Sequence, residues 1–287
     1  MITAKKLNNI LIFSLLLFLS LINNSIAQQI RIPSPSPLCE YKQRVGLTDI
    51  TIVYSRPGVK GRKIFGDLVP YNKLWRSGAN MATSITFSDD VKIEDNKLAA
   101  GSYALFTIPR MNEWTLIFNS DIDQDGTAQY DESKDVLRVK VKPATLQENT
   151  ESLIIGINDI RNDHANLVLA WANTIVTARI DVNTDAVVMA DIDRAMNSSA
   201  DAGTYWAAAN YYFETDRDMP KALEWINKSI ELGNNRFWVV HLKAKIQQKL
   251  GDCSGAIVTA EVSKKLAQEA GNDDYVALND KLIAVCK

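Results

Sequence analysis

The sequence predicts an antiparallel β domain, sandwich or barrel, followed by an all-α segment of repeated helices. Three observations predict it. Between Thr48 and Ile180 the chain carries about eight short runs rich in β-branched and aromatic residues, with no long helical pattern between them. Near Thr184 the apolar spacing changes from alternation to that of a helix. From Thr204 onward the helical spacing persists, and like residues recur 34 positions apart, Ala222 with Ala256 and Asp218 with Asp252.

The first segment has the form of an export signal. Lys5 and Lys6 supply a positive start, Ile10 to Ile22 is an almost unbroken apolar run, and Ser25-Ile26-Ala27 offers the small-x-small pattern of a cleavage site. A transmembrane span needs roughly 20 apolar residues, and this run is shorter and ends in Asn23-Asn24. No cysteine directly follows it, which argues against lipidation. The expected organisation is therefore a signal peptide over 1–27, an extended lead-in over 28–37, a β domain over 38–182, a helix and linker over 183–202, and repeats over 203–287. An exported protein, periplasmic or secreted and without a membrane span after signal removal, is the expectation.

Removing 1–27 takes two lysines and no acids, so the formal net charge moves from −2 to −4. That balance excludes a general nucleic-acid binder, which would be strongly basic. Three cysteines are present. Cys253 and Cys286 both fall in the helical half and could pair in an oxidising compartment, leaving Cys39 over. The alternative is two half-buried thiols on helices.

In the β half the runs are Thr48–Tyr54, Ser84–Phe87, Val91–Ile93, Tyr103–Ile108, Trp114–Phe118, Val136–Lys142, Leu153–Ile157, Leu167–Trp171 and Thr174–Ile180. Ser84–Phe87 and Val91–Ile93 flank Asp89-Asp90 as a hairpin would, and a turn around Pro109–Asn112 joins the next pair. The clearest alternation places Leu137, Val139 and Val141 toward a core and Arg138, Lys140 and Lys142 toward water. Thr184 is the expected cap of a helix that Asn197-Ser198-Ser199 breaks.

The 34-residue offset is the tetratricopeptide period, and small Ala222 and Ala256 would let the helices of each unit approach closely. Asp273–Cys286 reads as a closing helix. Two units plus a closing helix fall below the three repeats usually needed for autonomous stability, so the segment is expected to dock against the β domain or a protein partner. Trp206, Tyr211, Tyr212, Phe213, Trp225, Phe237 and Trp238 crowd the first repeat, as core residues or as a concave peptide groove.

Further runs carry a resemblance. They include Tyr54-Ser55-Arg56-Pro57, Lys60-Gly61-Arg62, Ile64-Phe65-Gly66, Leu68-Val69-Pro70-Tyr71, Leu74-Trp75-Arg76-Ser77-Gly78-Ala79-Asn80, Gly101-Ser102-Tyr103, Thr107-Ile108-Pro109 and Leu169-Ala170-Trp171. On these the region from about Ser34 to Val182 resembles domain-of-unknown-function family 2911. The resemblance implies an all-β exported domain, often followed by tetratricopeptide-like helices, and implies no activity.

Two constellations could carry chemistry. Between Arg56 and Arg76 lie six cations (Arg56, Lys60, Arg62, Lys63, Lys73 and Arg76) against one acid, Asp67. Guanidinium groups suit carboxylate, sulfate or phosphate, so Arg56, Arg62, Tyr71, Trp75, Arg76 and Asn80 are the candidate ligand-binding residues, with Trp75 and Tyr71 placed to stack on a sugar. The competing role is scaffolding, arginines donating to loop carbonyls. The second constellation is Asp121-Ile122-Asp123-Gln124-Asp125-Gly126, followed by Thr127 and Glu132, which matches the Asp-x-Asp-x-Asp-Gly-x5-Glu calcium loop. Asp121, Asp123, Asp125, Thr127 and Glu132 are the candidate calcium ligands, although the flanks read as strands.

Nucleophilic catalysis has little support. The two histidines, His164 and His241, fall in different halves, Gly-x-Ser-x-Gly is absent, and neither Cys-x-x-Cys nor His-x-x-x-His occurs. The leading expectation is a non-catalytic binding and interaction protein for an anionic or glycan-like ligand. The alternative is a hydrolase acting on envelope carbohydrate, which would need two converging carboxylates.

Overall fold

The computed structural model describes residues 32–287; the expected signal peptide and the first four residues of the lead-in, 28–31, lie outside the described residues. Ten strands form two antiparallel sheets. They are β1 (Leu38–Val45), β2 (Thr48–Ser55), β3 (Ala79–Phe87), β4 (Val91–Ile93), β5 (Asn96–Leu98), β6 (Gly101–Ile108), β7 (Trp114–Asn119), β8 (Asp135–Val141), β9 (Ala144–Asn158) and β10 (His164–Val182). One sheet has the order β1-β2-β3-β6-β7-β8, the other β5-β4-β10-β9. A single core joins them: Ile50, Ile52, Ile85, Leu105, Leu116 and Phe118 from the first sheet meet Leu153, Ile155, Leu167, Leu169, Ala178 and Ile180 from the second. Along β2 the buried residues alternate with half-buried ones, as one buried face demands.

Two strand readings change. Ser84–Phe87 and Val91–Ile93 do not make a hairpin. β3 pairs with β2 and β6, whereas β4 pairs with β5 and β10 in the opposite sheet. At Ser88 the chain crosses between sheets, held by Ser88 N–H donating to Asp49 O at 3.0 Å and Asp49 N–H donating to Ser88 Oγ at 2.8 Å. Leu167–Trp171 and Thr174–Ile180 are one strand, interrupted by register shifts on either side of Ala172, whose φ is 51°. This bulge breaks the alternation and makes one strand read as two.

Six helices follow among the described residues: α1 (Thr184–Met196), α2 (Ala202–Glu214), α3 (Met219–Glu231), α4 (Phe237–Lys249), α5 (Cys253–Glu269) and α6 (Asp273–Cys286). α2 with α3 and α4 with α5 are the two repeat units, and α6 closes them. The repeat is physical as well as textual. Asp218 and Asp252 cap α3 and α5 by accepting from the N–H of Lys221 and Gly255, and Ala222 and Ala256 are fully buried where helices meet. Thr184 does not cap α1. It is the first helical residue, behind Asn183, and it packs on Gly46, where any β-carbon would fall 1.8 Å from Thr184 Oγ1. The helical segment meets the β domain at this junction and where the β9–β10 turn borders α1 and α2, and α1 supplies Ile192, with Val188 and Met196 packed beside it, to cover the first repeat. The crowded aromatics divide similarly: Trp225 is buried, while Trp206, Tyr211, Tyr212, Phe213 and Trp238 pack half-buried against that core.

Candidate functional site

The loop from Arg56 to Gly78, with Ala79 and Asn80 beginning β3, leaves β2 and crosses to the second sheet. Leu153 N–H donates to Pro57 O at 3.0 Å and Val59 N–H donates to Glu151 O at 2.7 Å, so the loop start is pinned on β9. Ile64 and Val69 then enter the core. Gly66 is required between them: its φ is 86°, and a β-carbon there would lie 2.7 Å from the Tyr71 ring. Trp75 exchanges backbone hydrogen bonds with Thr107, both at 2.8 Å. Four non-glycine residues of this stretch, Lys60, Asn72, Ser77 and Asn80, have left-handed backbones, with φ from 49° to 60°. Each costs on the order of 1 kcal/mol, a strain held here by buried contacts: Ser77 is fully buried, and its carbonyl accepts from Thr83 Oγ1 at 2.8 Å.

This construction brings Lys60, Arg62 and Arg76 to one cavity of about 370 Å³, lined also by Pro35, Ser36, Pro57, Gly58, Leu68, Val69, Trp75, Gly78, Ala79 and Trp171. Among the described residues its lining contains neither Asp nor Glu, and a carboxylate that borders it, Glu151, accepts from Lys60 N–H at 2.9 Å. Among the described residues none of the three cations forms an ion pair with a carboxylate.

The three are employed differently. Arg62 donates through Nε to Val59 O at 3.0 Å and through Nη2 to Gly58 O at 2.6 Å, which closes the loop on itself. Lys60 Nζ donates to Pro35 O at 3.3 Å. Arg76 is half-buried, and its Nε–H is buried with no acceptor among the described residues. A buried donor without a partner costs about 1–3 kcal/mol, so this one is suited to an incoming acceptor.

The other candidate residues are not all gathered here. Arg56 is committed elsewhere, donating from Nε to Leu153 O at 2.9 Å. Tyr71 lines a separate recess of about 160 Å³ with Phe65, Arg110 and Trp114. Asn80 donates to Ser55 Oγ at 3.1 Å and is absent from the cavity lining. Trp75 lines the cavity but is only 8% exposed. One face is stacked on Trp171, with ring centres 5.8 Å apart, its edge meets Phe65 and Trp114, and its N–H donates to Gly78 O at 3.1 Å. It is therefore a wall rather than an open stacking platform. Sequence reasoning missed Trp171, Pro35 and Ser36, which complete the cavity from β10 and the lead-in; Trp171 sits in the Leu169-Ala170-Trp171 run, the one signal that could have found it.

The acidic loop 121–132 packs across the outer face of the first sheet, with Ala82 N–H donating to Gln124 O at 2.8 Å. Buried Asn119 ties its two ends, accepting from Asp121 N–H and donating to Asp131 O. Its acids are not drawn together. Asp121 pairs with Lys134 at 2.6 Å, Glu132 pairs with Arg138 at 2.9 Å, and Asp123 and Asp125 are exposed. Among the described residues no group of three or more His, Cys, Asp or Glu side chains is arranged to hold a metal ion. Beside this loop the Tyr130 hydroxyl is pushed up to about 12, by burial and then by its hydrogen bond to Asp135.

A third cavity, of about 640 Å³, lies where the β9–β10 turn meets α1 and α2. It contains carboxylates, but Asp185 accepts from Tyr211 at 2.8 Å and pairs with Arg217, while Asp163 lies 2.6 Å from His164 Nδ1. Tyr211 is raised to about 12 by burial and the Asp185 bond. His241 packs between helices, 9% exposed and bonded to Asn279 Oδ1 at 2.8 Å. Among the described residues no helix is long and apolar enough to cross a membrane.

No curated protein and no solved structure matches this chain. The match that exists is to a family: residues 36–180, just over half of the 287-residue chain, fit the one described as "Protein of unknown function (DUF2911)", and the chain belongs to that family.

Proposed function

We propose that this is an exported, non-catalytic binding and interaction protein. Its β domain holds a small anion, a carboxylate, sulfate or phosphate carried on a sugar-sized molecule, and its helical repeats contact a protein partner. The observation that carries the reading is the convergence of Lys60, Arg62 and Arg76 on one cavity whose described lining holds no acid, with Arg76 Nε–H buried and without an acceptor among the described residues. Ligand sites usually measure about 300–1,000 Å³, and about 370 Å³ suits a ligand near the size of one sugar ring. The hydrolase alternative draws no support from this cavity, because a glycosidase needs two facing carboxylates. Export rests on the pattern of residues 1–27.

The test is a titration of the purified chain with glucuronate, glucose 6-phosphate, glucose 6-sulfate and uncharged glucose, followed by calorimetry at two salt concentrations. Binding is expected for one or more anions and not for glucose, weaker at high salt, and at least about tenfold weaker in Arg76→Ala. Equal binding of glucose, or an unaffected Arg76→Ala, refutes the site.

A further inference from the structure

We propose that Cys253 and Cys286 form an intramolecular disulfide that clasps the closing helix onto the second repeat. Cys253 is the first residue of α5 and Cys286 the last of α6, 33 positions apart in sequence. The antiparallel packing of the two helices brings these ends together, and the sulfurs face each other 2.6 Å apart. Both residues are half-exposed, so an oxidant can reach them. The third cysteine, Cys39, is in β1 against the β core and belongs to a different part of the molecule.

The clasp has a physical purpose. Toward its C-terminal end α6 is held by a small apolar contact in which Leu282 and Ile283 meet Ala244, Ala256 and Ala260 with Ile257 beside them, while Tyr275 packs edge-on against Phe237 near its start. Alanine contributes little burial area. Midway along the helix a buried polar chain fixes register: His241 Nδ1 meets Asn279 Oδ1 at 2.8 Å, Asn279 Nδ2 donates to Ser263 Oγ at 2.9 Å, and Ser263 Oγ donates to Phe237 O at 2.8 Å. Such a chain specifies position more than it stabilises. A cross-link at Cys286 secures the end that the polar chain does not reach, and shrinking the unfolded ensemble stabilises a segment with few repeats.

The chemistry is a double thiol–disulfide exchange. One cysteine thiolate attacks a small-molecule or protein disulfide and expels one thiol, forming a mixed disulfide. The other cysteine thiolate then attacks the protein sulfur of that bond and expels the second thiol. The two cysteines are oxidised, the incoming disulfide is reduced to two thiols, and the protons pass to the departing thiolates.

Full-length protein is equilibrated with oxidised glutathione, denatured, and labelled with a maleimide before and after reduction. One reactive thiol before reduction and three after, with peptide mapping linking residue 253 to residue 286, is the expected result. Three reactive thiols before reduction, or a bond that includes Cys39, overturns the proposal. Reduction should lower the melting temperature of the wild-type chain by on the order of 10 °C, and Cys286→Ser should abolish that difference. Identical melting of oxidised and reduced wild type would overturn the stabilising role. The wild-type comparison involves no substitution, so it holds even if a serine variant fails to fold.

Discussion

Two arginines on one cavity separate scaffolding from ligand binding. Arg62 donates two hydrogen bonds to carbonyls of its own loop, whereas the buried Arg76 Nε–H has no acceptor among the described residues. Net hydrogen bonds of this kind are worth about 1 kcal/mol each. Arg62 is exposed, so Arg62→Ala should destabilise by roughly 1–2 kcal/mol. Arg76→Met keeps an apolar stem but removes a buried unsatisfied donor, so it should leave stability unchanged or raise it by about 1 kcal/mol. The assay is urea unfolding followed by tryptophan fluorescence, with ΔG extrapolated to water and equal m-values required for comparison. If Arg76→Met costs 2 kcal/mol or more, the guanidinium holds the fold and the binding argument fails.

Three further outcomes follow from the geometry. Trp171 is 2% exposed, stacked on Trp75 and edge-on to Phe65; Trp171→Ala should cost about 3–5 kcal/mol in the same unfolding assay and open one wall of the cavity. Burial pushes the His241 imidazole below its ordinary value and Lys245 adds to this, against the Asn279 hydrogen bond, so the unfolded state binds its proton more readily. The stability it contributes is complete above about pH 6.5 and is lost as pH falls toward the lower folded value; melting curves from pH 8 to 5 should show this decline, and His241→Gln should reduce its slope. Calcium proposed at residues 121–132 has to displace Lys134 from Asp121 and Arg138 from Glu132, so raising the melting temperature of chelator-purified protein through linkage should take several millimolar calcium, on the order expected of a weak site, and Asp125→Ala should remove the rise. An unchanged curve would mark the loop as a self-paired turn.

What was legible in the sequence follows the strength of local signals. Leu137, Val139 and Val141 alternate cleanly with exposed residues, and β8 lies where they put it. The helical period and the close-packed alanines were equally plain, whereas the recurrence of Asp218 and Asp252 was visible without its role as a helix cap. β1 was not read as a strand, because edge position leaves it only Cys39, Tyr41 and Val45 as inward residues among Glu40, Lys42 and Arg44. The crossing at Ser88 was misread as a hairpin because two polar acids mark a turn without saying which sheet receives the chain. For the site, the sequence identified the basic loop but not its division of labour. Whether an arginine meets a carbonyl or a cavity depends on partners nearly a hundred residues away, such as Leu153 for Arg56 and Trp171 for Trp75. Tyr71 lies on the same loop as Arg76 and Asn80 just beyond it in β3, yet the left-handed turns at Asn72 and Ser77 separate them from the cavity.

The central claim is that Arg76 Nε–H awaits an anion. Arginine Nε–H resonances can be observed directly by heteronuclear NMR, and Arg76 is assigned by its loss in Arg76→Lys. On titration with glucuronate, or whichever anion binds in calorimetry, the account predicts that this resonance moves saturably with the calorimetric affinity, as a buried donor gains a charged acceptor. Saturable binding that leaves the Arg76 Nε–H resonance in place while shifting signals elsewhere would contradict it.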